Sequence, residues 1–253
     1  MKPRKRLGQH FLHDPAVLQR IVEAIAPARE DAVVEIGPGE GALTRPLLER
    51  LERLTAIELD RDLAASLRRE FPPQRLSVVG ADALEFDFSA LPVGVRVVGN
   101  LPYNISTPLL FHLARYADRV RDMHFLLQKE VVDRMVARPS TPDYGRLSVM
   151  LQVRFAMAKL FEVGPGAFRP PPKVDSALVR LVPLPGKPDC DATQLERIVR
   201  GAFSARRKTL RNALPLKAED YLALRLDPKL RPENLAPADY VRVARLLSGA
   251  SAR

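Results

Sequence analysis

Short apolar runs alternate with amphipathic stretches along the first two-thirds of the chain. "DAVVEIG" (31–37), "RLTAIELD" (53–60), "LSVVGAD" (76–82), "VRVVGN" (95–100) and "MHFLLQK" (123–129) are too short for helices. Their near-continuous apolar character predicts strands buried on both faces. Between them, apolar residues recur at helical spacing. In "HDPAVLQRIVEAIAP", Asp14 can cap a helix and Pro15 suits its first position. "ALTRPLLERL" tolerates Pro46 only in a first turn. "RDLAASLRREF" and "EVVDRMVAR" read as helices, and Thr107 with Pro108 is expected to start another through "LLFHLARYA". This alternation predicts an α/β fold, a parallel sheet with helices on both faces.

The rhythm changes near residue 160. "KLFEVGPGAFRPPPKVDSALVRLVPL" has strand-like ends around a Gly/Pro-rich middle, which predicts antiparallel strands closing the sheet. "PLPGKPDC" (183–190) has the composition of a linker. Beyond it the pattern is helical only, in "ATQLERIVRGAF", "RRKTLRNAL", "AEDYLALRL" and "PADYVRVARLLSG". The expected division is a large domain over 1–183, with a basic segment at 1–13, and a small all-helical C-terminal domain over 184–253.

Composition narrows the functional classes. No apolar stretch approaches the roughly 20 residues of a membrane helix, and the basic start lacks a signal-peptide core. Cys190 is the only cysteine and the four histidines show no ligand spacing, so no metal site is expected. The simplest address is the cytoplasm. The net charge of +10 suggests an anionic partner, nucleic acid first. Residues 186–253 hold 14 Lys/Arg against 8 Asp/Glu, so the smaller piece is the more basic per residue. Arg4, Lys5 and Arg6 add an acid-free cluster near the start.

The strand ends carry candidate chemistry. The first strand runs into Gly37-Pro38-Gly39-Glu40-Gly41 before a helix, so a ligand can approach the backbone closely. The spacing is G-x-G-x-G, not the dinucleotide pattern G-x-G-x-x-G. Glu58 ends the second strand, where a carboxylate can accept ribose hydroxyls, and Asp82 ends the third, within reach of an adenine amine. Each acid alone could be a solvated strand end. Three such ends at one sheet edge point to a nucleoside-bearing cofactor. NAD and S-adenosyl-L-methionine both qualify. NAD would need hydride-transfer machinery, and no such His or Tyr-Lys pair is evident. S-adenosylmethionine brings its own electrophile.

"VVGNLPYNIS" (97–106) follows the fourth strand beside the same crevice. The Asn100 side-chain carbonyl and the Leu101 backbone carbonyl can accept both hydrogens of an exocyclic amine. Such bonds strengthen as the nitrogen loses conjugation with its ring. Pro102 stiffens the loop, and Tyr103 offers a face for a base to stack on. A turn capping a strand is the plainer alternative.

At this point the chain resembles a known family. "GQHFLHD", "VEIGPGEGALT", "AIELDRDL", "VVGNLPYNISTPLL", "LLQKEVVDRM", "YGRLSVMLQ", "FRPPPKVDSALVRL" and "ARRKTLRNAL" together look like the KsgA-type ribosomal RNA adenine dimethyltransferases. The resemblance implies a Rossmann-like S-adenosylmethionine methyltransferase sheet. It implies that Gly37 and Gly39 lie against the cofactor, Glu58 holds its ribose, Asp82 its adenine, and Asn100 serves cofactor and target amine. His10 and Leu12 would close over the cofactor; the family often has asparagine where His10 stands. Phe168 would face the target base opposite Tyr103, or else pack in the core. The substrate implied is two adjacent adenines near the 3′ end of 16S ribosomal RNA, in a 30S precursor, acted on by a monomer. Arg206, Arg207, Lys208 and Arg211 are expected on one basic helix contacting RNA phosphates. The rivals are Erm-type large-subunit methyltransferases, an RNA- or DNA-binding factor without turnover, and a nicotinamide oxidoreductase.

Overall fold

The computed structural model describes residues 10–250. Arg4, Lys5 and Arg6 therefore lie outside the described residues. The sheet strands are β2 (Val33–Ile36), β3 (Leu54–Glu58), β4 (Leu76–Gly80), β5 (Val95–Asn100), β6 (Val120–Gln128), β7 (Phe155–Val163) and β9 (Ser176–Pro183), in the order β4-β3-β2-β5-β6-β9-β7. The first five of these in chain order pair in parallel, and β9 runs antiparallel to β6. Two further strands, β1 (Phe11–Leu12) and β8 (Phe168–Arg169), pair antiparallel with each other outside this sheet. The strand pattern of the sequence is present, with β6 longer than expected by three residues at its start.

The helices among the strands are α1 (Pro15–Ile25), α2 (Thr44–Arg50), α3 (Arg61–Glu70), α4 (Ser106–Ala114), α5 (Lys129–Val136) and α6 (Arg146–Gln152). Asp14 caps α1, accepting from the Ala16 and Val17 amides at 2.9 and 3.1 Å, with Pro15 at the first position. The start of α4 differs from expectation. The Ile105 amide donates to the Pro102 carbonyl, so the loop itself turns into the helix, and Thr107 and Pro108 fall inside the first turn rather than at the cap. Helix α6 was not foreseen.

Two contacts set where the loop after β5 stands. Arg96 on β5 makes a bidentate ion pair with its register partner Asp122 on β6, at 2.8 and 2.9 Å. That register ends with Asn100 opposite Leu126. A Cβ on Gly99 would stand 2.5 Å from the Ile36 carbonyl oxygen, so β5 reaches this depth beside β2 only with glycine there.

The chain forms two units. One takes the chain up to Val132 together with Met157–Pro183; its core includes Leu47, Leu54, Ala56 and Val98, each fully buried. The other takes Asp133–Ala156 with the chain from Leu184 on. The expected cut at residue 183 thus misses 133–156, which group with the helical part. This second unit contains α6, α7 (Ala192–Ser204), α8 (Leu210–Ala213), α9 (Ala218–Leu224) and α10 (Pro237–Ala250). Its core surrounds Tyr144 and Tyr240, whose buried hydroxyls donate to the Leu235 and Pro232 carbonyls at 2.8 Å each.

Candidate active site

Because β4, β3, β2 and β5 are parallel neighbours, their carboxyl ends open on one edge. Asp82, Glu58, Gly37 and Asn100 stand there in that order and line one cleft. His10, Leu12, Gly39, Leu101, Pro102 and Tyr103 complete its wall. Every candidate of the cofactor and loop groups is therefore in one place, with Phe168 the exception.

The floor is a turn of left-handed glycines, with φ of +67° at Gly37 and +60° at Gly39. Gly39 is also close-packed: a Cβ there would lie 3.0 Å from the Phe11 ring. The Gly39 amide donates to Glu58 Oε2 at 3.1 Å and the Asp60 amide to Glu58 Oε1 at 2.8 Å. Each oxygen keeps a lone pair for a further donor. Burial pushes the Glu58 carboxyl above its usual range, and these two amides oppose the push. Asp82 is held by the Leu84 amide at 2.9 Å in a short turn.

A second acid under the cleft was missed by the sequence reading. Glu35, on β2, is 1% exposed and lines the floor; the Thr44 hydroxyl donates to its Oε2 at 2.7 Å. Burial raises its pKa from 4.5 to about 7, with the Thr44 bond opposing and the Glu58 charge adding to the rise. The available signal was a lone carboxylate inside "VVEI", a strand otherwise apolar on both faces. Its protonated form is favoured in the folded chain, so its contribution to stability is full below about pH 4.5 and is lost as pH rises towards about 7. Glu35→Gln is expected to flatten the pH dependence of the unfolding midpoint across this window. Relative to the parent, the variant should be more stable above pH 7, a difference that denaturant titrations at several pH values would read.

At Asn100 the geometry is directional. Its Nδ2 donates to the His10 backbone carbonyl at 2.9 Å. A carbonyl only accepts, so this contact fixes which end of the amide is nitrogen and leaves Oδ1 on the other side. No hydrogen bond to the Leu101 carbonyl occurs among the described residues, although the Leu101 amide is tied to Leu126 at 3.2 Å. The Leu101 side chain is buried. The Tyr103 hydroxyl shares a 2.7 Å hydrogen bond with Ser176 Oγ, and burial raises its pKa. Ser176, fully buried at the start of β9, had no distinguishing signal in the sequence.

Two placements sharpen the sequence reading and a third corrects it. Phe168 takes the second of its two expected places: it does not line the cleft, is 2% exposed, pairs with Leu12 across β1–β8 and packs in the core. The His10 side chain turns to the Pro170 carbonyl, with Nδ1 donating at 2.7 Å, and its ring stacks on Tyr103 with centroids 5.4 Å apart. The basic run is not one helix. It is a turn after α7 followed by the single-turn α8, so Arg206, Arg207 and Lys208 lie outside any helix and only Arg211 is on one. Those three are exposed, whereas Arg206 is engaged by Glu233 and by the Pro142 carbonyl.

Comparison with known proteins places this geometry. The family described as ribosomal RNA adenine dimethylase matches residues 1–248. The chain belongs to this family. Similar adenine dimethylase relatives include ribosomal RNA small subunit methyltransferase A of Aromatoleum aromaticum, 57% identical over all of this chain and 97% of the relative. The protein of the same name from Thiobacillus denitrificans is 58% identical, covering 97% of this chain and 98% of the relative. Among solved structures, a dimethyladenosine transferase from Plasmodium falciparum has a TM-score of 0.82 at 25% identity, covering 96% of this chain and 98% of that one. The 23S rRNA methyltransferase ErmE has 0.70 at 28% identity, covering 94% and 99%. As an adenine dimethylase family member the chain is a methyltransferase that acts on ribosomal RNA and uses S-adenosylmethionine. The residues present fit that cofactor. Left-handed glycines keep side chains off the floor, and Glu58 has two oxygens with spare acceptor capacity. No group of three metal-ligating side chains and no helix long and apolar enough to cross a membrane occur among the described residues.

Proposed function

We propose that the chain methylates the N6 amines of two adjacent adenines near the 3′ end of 16S ribosomal RNA, twice each. In this reading it acts as a cytoplasmic monomer on a 30S precursor. The observation that carries the reading is the Asn100 amide, oriented by the His10 carbonyl so that Oδ1 and the Leu101 carbonyl can receive the two hydrogens of one exocyclic amine. Glu58 and Asp82 hold the cofactor's ribose and adenine, above the Gly37–Gly39 turn. The bound cofactor supplies a methyl group on positively charged sulfur. The oxygens of Asn100 and Leu101 would draw the amine hydrogens out of the ring plane to one side, so that the nitrogen pyramidalises and its lone pair leaves conjugation and faces the methyl. The amine would become acidic only once it carries the methyl, so its proton can pass to solvent and no strong base is required of this chain's residues. Tyr103 carries the base on its face, with Ser176 holding its hydroxyl. In-line positioning supplies most of the acceleration.

Tritiated methyl transfer tests this reading against unmodified 30S particles, free 16S RNA and 50S particles. N6,N6-dimethyladenosine in digests of the 30S product is the expected outcome; label in 50S alone, or a non-adenine product, overturns it. A substrate for the Erm-like alternative would be the 50S arm. For the RNA contact, Arg207, Lys208 and Arg211 supply phosphate partners, together with Arg4, Lys5 and Arg6. Replacing Arg207, Lys208 and Arg211 by glutamine is expected to weaken binding and to reduce the slope of log K against log salt by about two. Arg206→Gln acts instead on stability, through its lost Glu233 and Pro142 partners. Binding titrations at several salt concentrations separate the two behaviours.

A further inference from the structure

We propose that Lys229 and Arg231 complete an RNA-binding face on the second unit, so that one stretch of ribosomal RNA backbone is held by two segments of chain, 207–211 and 229–231. This rests on the RNA contact proposed above for Arg207, Lys208 and Arg211, and adds phosphate partners that their own run does not contain. The two segments are far apart in sequence. They meet because the Leu210 amide donates to the Leu230 carbonyl at 2.7 Å and the Arg211 amide to the Pro228 carbonyl at 3.2 Å. Arg207, Lys208, Arg211, Lys229 and Arg231 are all exposed.

The second segment is a fixed loop. Asp227 Oδ1 accepts the Lys229 amide at 2.8 Å, and the Leu230 amide returns to the Asp227 carbonyl at 3.1 Å. The Arg231 amide donates to Asn234 Oδ1 at 2.8 Å, with Pro232 opening a short helical turn. The fold thus uses the main chain of Lys229 and Arg231 and leaves both cationic heads over. None of the five cations makes an ion pair or a side-chain hydrogen bond among the described residues. The acids of 227–234 do not offset them: Glu233 is taken by Arg206, which leaves Asp227 alone. Like charges gathered in this way repel one another, a cost to the folded chain that salt screens. A partner carrying regularly spaced negative charge relieves it, and RNA backbone is such a partner. Contacts of this kind set the position of the RNA without reading its bases.

The double variant Lys229→Gln/Arg231→Gln in the full chain tests the second segment, since both main-chain bonds survive it. Its binding to unmodified 30S particles is titrated at several salt concentrations. Binding is expected to weaken about tenfold or more at low salt, and the slope of log K against log salt to fall by about two. Its unfolding midpoint at low salt should rise above the parent's, with the difference closing as salt is added. Hydroxyl-radical footprinting of the 16S RNA reads continuity: the backbone protections lost with this pair should adjoin those lost when Arg207, Lys208 and Arg211 become glutamine. The proposal is overturned if the salt slope keeps its parental value, if weaker binding comes with a lower unfolding midpoint, or if the two sets of lost protections lie apart. Stronger binding of the parent to anionic lipid vesicles than to 30S particles would overturn it in favour of a membrane surface. A parent that binds 30S particles without methylating them would instead sink the proposed function and leave this face standing.

Discussion

Asn100→Ala is expected to lower turnover about 10²- to 10³-fold at saturating cofactor, the range for removal of one preorganised group at a developing charge. The substitution acts twice. It deletes the oxygen that in the proposed reading receives one amine hydrogen, and it deletes the Nδ2 bond to His10 that aims that oxygen. Asn100→Asp is the informative companion. It offers two acceptors but no hydrogen, so a carboxylate oxygen would face the His10 carbonyl and be repelled from it. Turnover should therefore fall for the aspartate as well, although an acceptor remains. Single-turnover methyl transfer with excess enzyme separates this loss from changes in RNA affinity. An alanine variant with parental turnover would remove Asn100 from the chemistry.

Glu58→Gln is expected to weaken cofactor binding about 100-fold in calorimetric Kd and also to lower the unfolding midpoint. Each carboxylate oxygen already accepts a backbone amide, from Gly39 and from Asp60. Turning one oxygen into an NH2 group sets donor against donor at one of them. In the proposed reading it also removes an acceptor for a ribose hydroxyl. Hydrogen bonds to a charged group contribute about 1.5–3 kcal/mol each, so losing one and disturbing a second accounts for about two orders of magnitude. The Gly39 turn is part of the same unit of geometry: its amide is fixed by Glu58, so the floor shifts with the substitution.

Much of this site was legible because its parts are local. Gly37, Glu58, Asp82 and Asn100 stand where an apolar run stops, and parallel pairing then brings every such stop to one edge. The same holds for the Asp14 cap, whose partners are two and three residues away. What stayed hidden depends on residues far along the chain. Phe168 could face a base or pack in the core, and it is the pairing of its strand with Leu12, 156 residues earlier, that puts it in the core. Arg206 read as a free cation, but Glu233 and Pro142 come from other parts of the second unit. The basic helix failed because "RRKT" turns rather than winds, and helical spacing assumed for charges had no apolar stripe to enforce it. Ser176 gained its role only when β9 came beside β6 and met Tyr103. Glu35 was legible in principle: an acid in a doubly buried strand is either a defect or a functional group.

The second unit is built from two separated stretches of chain, and this limits how the protein can be dissected. A shortened version ending at Pro183 would retain Tyr144 and Val149 but lose Leu195, Val199 and Tyr240, which share their core. Such a fragment would turn the apolar face of α6 and the Tyr144 ring out to solvent, an invitation to clumping. Any engineering that removes the second unit must excise 133–156 along with the tail, or keep both.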